Sequence, residues 1–338
     1  MSYVKKVAIV GATGRVGSFM VAELLKLGKH EVTAITRENS QAVIPAGVKV
    51  AKVNYDDRAS LVAALRGQEV LIITLSVLSP KDTSLKLVEA AAEADVPWIL
   101  PNEWGSDYQS NPALGEAILL GPASAAVRQR IEDLGRSAWI GVACGFWYEF
   151  SLGGTKNRYG FDFDERSVVF FDDGTFPIET TTWPQVGRTV AKLLSLKTHP
   201  DPDSGEGRDG KSPVTLATYR NTYVRVSSFT ISQKDMFESV LRVTGIRPED
   251  WTITYESSAQ RYKDGMAAMQ AGDMGGFARA MYSRAFFPEG SARLVQGGRK
   301  LDNEALGLPQ EDLDEFTRIG IKEAKMTRPF KGYTDLKS

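Results

Sequence analysis

The sequence contains a single cysteine, Cys144, among its 338 residues. One cysteine cannot form an intrachain disulfide, and it excludes a metal site built from several cysteines. The two histidines, His30 and His199, both stand in turn-like sequence, so we expect neither a Ser-His-Asp triad nor a histidine-rich zinc site. Such sparse cysteine suits a reducing compartment, and we therefore expect a cytoplasmic protein without a bound metal.

The chain also lacks an excess of charge of either sign. Its 41 lysines and arginines against 42 aspartates and glutamates leave a net charge of −1. This balance argues against nucleic acid or a membrane surface as a partner, and we expect a small-molecule substrate instead. The first residues, MSYVKKVAIVGATG, resemble a strand and not a signal peptide, and no apolar run is long enough to cross a bilayer.

The first 150 residues alternate short apolar runs with helical patterns, which is typical of βαβ units. The predicted strands, rich in Val, Ile and Leu, cover residues 6–10, 31–36, 48–52, 70–75, 98–100 and 138–143. The predicted helices between them cover residues 17–27, 58–65, 83–94 and 123–134. This order predicts an α/β fold, with a doubly wound parallel Rossmann sheet over residues 1–150.

Residues 151–338 have a different character and predict a smaller α+β, substrate-binding part. The regular elements expected there are a hairpin over 166–182 around Asp172-Asp173-Gly174, a helix over 184–196, a strand over 223–230, and helices over 233–244 and 258–281. We expect a break inside the last helix and loops over 197–212 and 286–307. Segments 184–196 and 223–244 are expected to pack back on the Rossmann domain.

The first predicted strand runs into Gly11-Ala12-Thr13-Gly14-Arg15-Val16-Gly17, followed by a helical pattern. Gly11 allows a tight turn, Gly14 allows the backbone to approach a pyrophosphate, and Gly17 allows the helix to pack closely on the strand. The first amides of the helix then face the phosphates. Because strand, turn, helix and second strand fall within about thirty residues, we predict a dinucleotide site.

The second strand ends in Thr36-Arg37. A carboxylate at this point would accept a hydrogen bond from a ribose 2′-hydroxyl and favour NAD, whereas an arginine accommodates a 2′-phosphate. Arg37 is therefore the predicted selector of NADP, with Arg15 as a second cation. Glu38 follows directly and can weaken this preference, so NADP(H) is favoured without excluding NAD.

Ligands of such sheets lie beyond the carboxyl ends of the strands. The cofactor contacts expected there, besides Thr13, Val16 and the residues named above, are Asn54, Thr74, Leu75, Ser76, Pro101 and Asn102. Aromatic residues near the same edge could form the wall of a substrate pocket or could pack in the core; they are Trp104, Phe146, Trp147, Phe150 and Trp183. As a pocket wall they would suit a bulky, flat or polycyclic molecule.

With these motifs in view, the chain resembles the NmrA-like and isoflavone reductase-like branch of atypical short-chain dehydrogenases, and in particular fungal CipA-like proteins. The likeness is carried by GATGRVG, ITR, PNEWG, VRQRIEDLG, CGFWYEFSLGG, FFDDGTFPIETTTWPQVGR, DMFESVLRVTG and LDNEALGLPQEDLDE, from about residue 5 to about residue 320. The resemblance implies NADPH binding and a small C-terminal substrate-binding part.

The chain departs from this family at the expected proton donor. Isoflavone reductase-like enzymes have a lysine shortly before the VRRAIE-type helix, whereas residues 120–128 contain none. The only YxxxK spacing, from Tyr333 to Lys337, lies far from the sheet and is interpreted as chance. Glu103, Tyr148 and Glu149 are the remaining candidate donors, although helix capping or an ion pair would equally explain the two glutamates.

Three hypotheses follow from this sequence. The first is an NADPH-dependent reductase that acts on a C=C, C=N or C=O bond of a bulky specialised metabolite. The second is a non-catalytic NADP(H)-sensing regulator of a protein partner, as NmrA-like proteins can be. The third is a cofactor-binding isomerase or cyclase without net redox change.

Overall fold

The computed structural model describes residues 3–76, 79–200, 214–290 and 292–326. The strands are β1 (Lys6–Val10), β2 (Glu31–Arg37), β3 (Lys49–Val53), β4 (Val70–Ile73), β5 (Trp98–Leu100), β6 (Trp104–Gly105), β7 (Ala138–Ala143), β8 (Phe146–Trp147), β9 (Phe161–Asp162), β10 (Ser167–Phe171), β11 (Ile178–Thr181), β12 (Thr222–Arg225), β13 (Phe229–Ile231) and β14 (Thr252–Glu256). The helices are α1 (Arg15–Leu27), α2 (Arg58–Leu65), α3 (Thr83–Glu93), α4 (Pro112–Ala117), α5 (Gly121–Leu134), α6 (Tyr148–Leu152), α7 (Trp183–Leu194), α8 (Gln233–Thr244), α9 (Ser258–Gln270), α10 (Met274–Ala285) and α11 (Leu313–Met326).

The main sheet runs in the order β3-β2-β1-β4-β5-β7-β12, with β6 paired to β7. Its pairings are all parallel, which confirms the predicted doubly wound Rossmann fold. Strand β1 lies between β2 and β4, so the order reverses there and opens a crevice beyond the carboxyl ends of the strands. Apolar side chains of β1 and β4 fill the two hydrophobic layers above and below the sheet.

The C-terminal part is built on two smaller sheets, β14-β10-β9 and β13-β11-β8. An aromatic core lies between these two sheets and helices α6, α8 and α11. Its largest fully buried side chains are Tyr148, Tyr159, Phe161, Phe171, Tyr282 and Phe286. Burial of such large rings is a strong source of stability for a small layer. The part is therefore α+β, as predicted.

The hairpin prediction for residues 166–182 is wrong. Strand β10 pairs with β9 and β14, whereas β11 pairs with β8 and β13. The turn at Asp172-Asp173-Gly174 does form, since the Gly174 amide donates to the Phe171 carbonyl over 2.9 Å. However, the side chain of the buried Gln233 accepts from the Phe171 amide at 2.7 Å and donates to the Val169 carbonyl at 2.9 Å. These backbone groups of β10 are therefore not available to pair with β11.

The single strand predicted over 223–230 is divided into β12 and β13. Asn303 accepts from the Ser227 amide at 3.1 Å and donates to the Ser227 carbonyl at 2.6 Å, which interrupts the strand. Strand β12 then completes the main sheet beside β7, while β13 joins the C-terminal part. Of the segment 223–244, only the first residues therefore pack on the Rossmann domain, because α8 lies against α11 and β10.

Segment 184–196 does pack on the Rossmann domain, as helix α7 against α1. Thr182 caps α7 by accepting from the Gln185 amide at 3.1 Å, and Pro184 stands in its first turn. Helices α4 and α11 and strand β14 were not predicted by the sequence patterns. Most of the loop predicted over 197–212 and the whole Tyr333–Lys337 spacing lie outside the described residues.

Within the described ranges, no helix combines the length and the apolar character that crossing a bilayer requires.

The α1–α7 contact depends on a glycine. A Cβ at Gly187 would stand 2.5 Å from the Phe19 carbonyl oxygen, which is rigid helix backbone. We expect Gly187→Ala to lower the free energy of unfolding by about 1–3 kcal/mol, although alanine favours an isolated helix. Urea unfolding measures this change, with Lys192→Ala on the exposed side of the same helix as the control. Equal stability of the two variants would contradict the packing described here.

Candidate functional site

The turn between β1 and α1 brings three backbone segments together. Gly11 has φ +83°, and a Cβ there would lie 2.1 Å from the Thr74 carbonyl oxygen. A Cβ at Gly17 would lie 2.1 Å from the Gly11 carbonyl oxygen, and the Gly14 amide donates to that same oxygen at 2.8 Å. Each position thus requires the absence of a side chain, and the turn is shaped by contact between backbones.

Helix α1 starts directly after this turn at Arg15. Its N-cap is Gly14, and among the described residues no side chain caps its first amides. Those amides, from Arg15, Val16 and Gly17, are therefore available to an anion at the positive end of the helix dipole. Thr13 and Arg15 are exposed, whereas the Val16 side chain is buried in the core and can contribute only its backbone.

The ends of β4 and β5 are tied into one rim. The Thr74 hydroxyl donates to the carbonyls of Val10 at 2.8 Å and Gly11 at 3.2 Å. Asn102 accepts from the Leu75 amide at 3.0 Å and donates to the Leu75 carbonyl at 3.1 Å. Three of the predicted cofactor residues therefore lie together beside the glycine turn, where they hold the strand ends in place.

The remaining predicted cofactor residues flank this rim. Pro101 is buried beneath it, and Ser76 is exposed beyond it. Asn54 follows β3, and its side chain accepts from the Asp56 amide at 2.9 Å to form a local turn. Arg37 is exposed at the end of β2, in register with Val53 of β3. The prediction brought these residues to one edge of the sheet, and the structure places all of them there.

Arg37 lies near Tyr55, whose pKa burial raises to about 12 while the arginine charge lowers it. Arg15 lies elsewhere, with its guanidinium carbon 5.1 Å from the Phe150 ring centre and 5.4 Å from the Trp183 ring centre. The two guanidinium groups therefore lie in different regions of the crevice, and the role of Arg15 as a second cation stays a prediction.

Four of the five predicted substrate-wall aromatics are half-buried near the carboxyl ends of the main-sheet strands; they are Trp104, Phe146, Trp147 and Phe150. Trp104 donates its indole N–H to the Ile73 carbonyl at 2.9 Å, and Phe146 stacks on Tyr282 with ring centres 4.0 Å apart. Trp183 is only 4% exposed and stacks on Phe19 between α1 and α7. Trp183 therefore packs in the core at that interface, which is the second of the two alternatives for these aromatic residues and not a place on a pocket wall.

Glu103 does not have the geometry of a free proton donor. One of its carboxylate oxygens accepts from the Arg128 guanidinium at 2.5 Å and from the Tyr223 hydroxyl, all in a buried cluster. Burial raises the pKa of Glu103 even beside Arg128. The ion-pair alternative therefore describes this residue better than acid catalysis, because its charge holds α5 and β12 against β5.

Tyr148 is also unsuited to the predicted catalytic role. Its side chain is fully buried, and its hydroxyl shares a 2.7 Å hydrogen bond with Thr317 of α11. Thr317 in turn contacts Ser239 of α8 at 2.7 Å. Tyr148 thus links three helices of the C-terminal part and is buried among them.

Glu149 combines deep burial with an unusual protonation state. It is 1% exposed, and burial raises its pKa to about 8, with Glu311 and Glu323 adding to the rise. Its two oxygens each accept from the Trp183 amide at 3.3 Å, at the start of α7. Glu149 is thus largely protonated near neutral pH, and its role as a donor stays a prediction.

Sequence reasoning missed two residues that contact the predicted aromatic wall; they are Arg158 and Tyr282. Arg158 places its guanidinium carbon 3.5 Å from the Phe150 ring centre. Tyr282 of α10 stacks on Phe146 and bonds its hydroxyl to Ser151 at 2.7 Å. Neither residue belongs to a short motif, so no sequence signal pointed to them.

The glycine turn at the point where the strand order reverses defines a Rossmann-type dinucleotide-binding fold. Residues 4–152 match the profile of the NmrA-like family, so this part of the chain is similar to that family. The resemblance stated from the sequence motifs is therefore confirmed.

Relatives extend this similarity over nearly the whole chain. The oxidoreductase poxI of Penicillium oxalicum is 26% identical over 316 residues, which cover 90% of each protein. A crystal structure of isoflavone reductase matches with TM-score 0.71 at 20% identity, covering 93% of this chain and 98% of that one. A complex of leucoanthocyanidin reductase from Vitis vinifera with NADPH matches with TM-score 0.70 at 14% identity, covering 94% and 99%.

The raised pKa of Glu149 predicts a pH-dependent stability. Because the folded state holds this proton more tightly than the unfolded state, its stabilising effect is full below the usual pKa near 4.5 and is lost as pH rises through about 8. Between about pH 5 and pH 9 we expect the wild type to lose at least about 1 kcal/mol relative to Glu149→Gln.

Thermal unfolding across that range measures the effect, with the exposed Glu304→Gln as a matched control. Parallel curves for the wild type and Glu149→Gln would mean that Glu149 is not held protonated in the fold.

Proposed function

We propose that this protein is an NADPH-dependent reductase of a bulky aromatic or polycyclic small molecule. The observation that carries the proposal is the glycine turn, where Gly11 and Gly17 admit no side chain and no described side chain caps the first amides of α1. Curated relatives named oxidoreductases, and a neighbouring fold solved with NADPH, support the same class.

In this proposal the cofactor site has three regions. The first amides of α1 would hold the diphosphate, because the helix dipole favours negative charge there. Arg37 would hold the 2′-phosphate, because its planar guanidinium matches the phosphate oxygens. The rim made by Thr74, Leu75 and Asn102 would hold the nicotinamide, because that rim closes the crevice beside the glycine turn.

The substrate lies against the half-buried aromatic residues beyond this rim. Phe146, Trp147 and Phe150 follow β7, and Trp104 follows β5, so their rings share one end of the sheet with the proposed nicotinamide position. Flat apolar faces of this kind favour an aromatic ligand over a sugar or an amino acid. The reducible bond is a C=C, C=N or C=O bond of that ligand.

Bound NADPH supplies a hydride to the substrate, and one proton must then complete the reduction. Glu103 and Tyr148 are held in buried hydrogen-bonded clusters, so neither is the donor in this proposal. Glu149 carries a proton near neutral pH but directs its carboxyl group to the start of α7. We therefore assign the proton to water in the crevice, and the protein contributes orientation and exclusion of bulk solvent.

A direct test follows deuterium from 4-deuterated NADPH into product. The protein is incubated with the deuterated NADPH and a panel of polycyclic aromatic ketones, imines and enones. The products are examined by mass spectrometry. Transfer of one deuterium to at least one panel member, with matching loss of NADPH absorbance, is expected. Tight NADPH binding without any transfer would favour the sensing hypothesis, and no nucleotide binding would reject both.

Arg37 determines the nucleotide preference in this proposal. We expect Arg37→Asp to weaken NADPH binding by about tenfold or more, because a carboxylate would repel the 2′-phosphate. NADH binding should change by less than about threefold. Isothermal titration with both nucleotides measures the ratio.

The control for this variant is Arg66→Asp. Arg66 is an exposed arginine near Lys6 and Glu31, at the opposite edge of the sheet, and its replacement should leave both affinities unchanged. An equal loss for NADPH and NADH in Arg37→Asp would contradict the assignment.

A further inference from the structure

Two arginines converge on one aromatic ring at the boundary between the Rossmann domain and the C-terminal part. The guanidinium carbon of Arg158 lies 3.5 Å from the Phe150 ring centre, and that of Arg15 lies 5.1 Å from the same centre. Arg15 belongs to the glycine turn, whereas Arg158 belongs to the loop after α6. Two like charges are thus held near one ring, which requires local stabilisation.

Arg158 is positioned by its surroundings, and it is not a solvated surface side chain. Its Nη1 donates to the Phe150 carbonyl at 2.5 Å. The adjacent Gly154 makes room for it, because a Cβ there would stand 2.0 Å from Arg158 Cδ. Within the described residues this carbonyl is the one hydrogen-bond acceptor of the Arg158 side chain, so most of its donors remain uncommitted.

Most other buried or half-buried arginines among the described residues are paired with carboxylates. Examples are Arg128 with Glu103, Arg225 with Asp107 and Arg293 with Glu179. Arg158 is half-buried and, in the ranges that the structure describes, has no such carboxylate partner. Burial of an unpaired cation raises the free energy of the folded protein, and a bound anion lowers it again.

The electrostatics agree with this description. Burial lowers the pKa of Arg158, nearby Tyr282 raises it, and Arg15 lowers it further. The cation is thus deprived of solvent and adjacent to a second positive charge. A bound anion would relieve both effects at once.

We propose that Arg158 binds an anionic group of the substrate, most simply a carboxylate attached to an aromatic ring. This proposal rests on the proposed function. The cofactor diphosphate is also an anion that two guanidinium groups can bind, so the substrate carboxylate and the diphosphate share this chemistry. The substrate is favoured because Arg158 lies near Tyr282 and Phe150, in the aromatic region of the C-terminal part. Arg15, at the start of α1, is the arginine that the diphosphate would meet.

The test compares 2-naphthoate with its neutral isostere 2-naphthamide on the full-length protein. Affinities are measured by isothermal titration in the absence of nucleotide and again with saturating NADP⁺. We expect wild-type protein to bind the naphthoate about tenfold more tightly than the amide, as one charge-assisted bidentate contact provides. Arg158→Gln should abolish this preference, and Arg158→Lys should retain part of it.

The control variant is Arg220→Gln, which removes an exposed arginine and should leave the preference unchanged. Rising salt should weaken naphthoate binding to the wild type and leave naphthamide binding unaffected, and this measurement needs no variant to fold. Equal affinities of the wild type for the two ligands would overturn the proposal.

The NADPH affinity of Arg158→Gln distinguishes the two anions that Arg158 could bind, the substrate carboxylate and the cofactor diphosphate. In the proposal, Arg158→Gln changes NADPH affinity by less than about twofold. A tenfold loss of NADPH affinity with an intact naphthoate preference would instead assign Arg158 to the cofactor diphosphate. If wild-type protein bound no nucleotide at all, the proposed function would fall, while the nucleotide-free comparison of naphthoate and naphthamide would still decide the role of Arg158.

Discussion

The close approach of β1, α1 and the end of β4 at the glycine turn is the constraint on which the site depends. A Cβ at Gly11 would collide with the Thr74 carbonyl oxygen, and a Cβ at Gly17 would collide with the Gly11 carbonyl oxygen, so neither position admits a side chain. Thr74 completes the junction with two hydrogen bonds to backbone carbonyls. The helix therefore begins at one defined point of the sheet edge, and its free amides face the crevice.

The ionisable groups near this edge show why residue type alone is a poor guide to catalysis. Glu103 forms a buried cluster with Arg128 and Tyr223, and Glu149 keeps a proton at the start of α7. Each is a carboxyl group just past a strand end, where catalytic acids are expected. Burial and the identity of the nearest cation decide between structural and chemical roles, and both are properties of the folded chain.

The two parts of the molecule share elements instead of meeting at a simple boundary. Helix α7 packs on α1, and β12 extends the main sheet beside β7. The carboxylate of Glu179 in β11 accepts from the Leu294 amide at 2.8 Å and so holds the loop around Leu294. Because both parts contribute to the region around Phe150, that region is shaped by residues from Arg15 to Tyr282 along the chain.

The strands of the first 150 residues and the glycine turn were predictable because their signals are local. Apolar runs and glycine spacing within about thirty residues specify a βαβ unit before any long-range contact forms. Tertiary structure alone decided that β10 and β11 belong to different sheets, since Gln233 takes the edge of β10 from 62 residues away. It also decided that Glu103 bonds to Tyr223 across 120 residues, and that Arg158 has no carboxylate partner among the residues that the structure describes. Burial and pairing are set by residues distant in sequence, so no local pattern contains them.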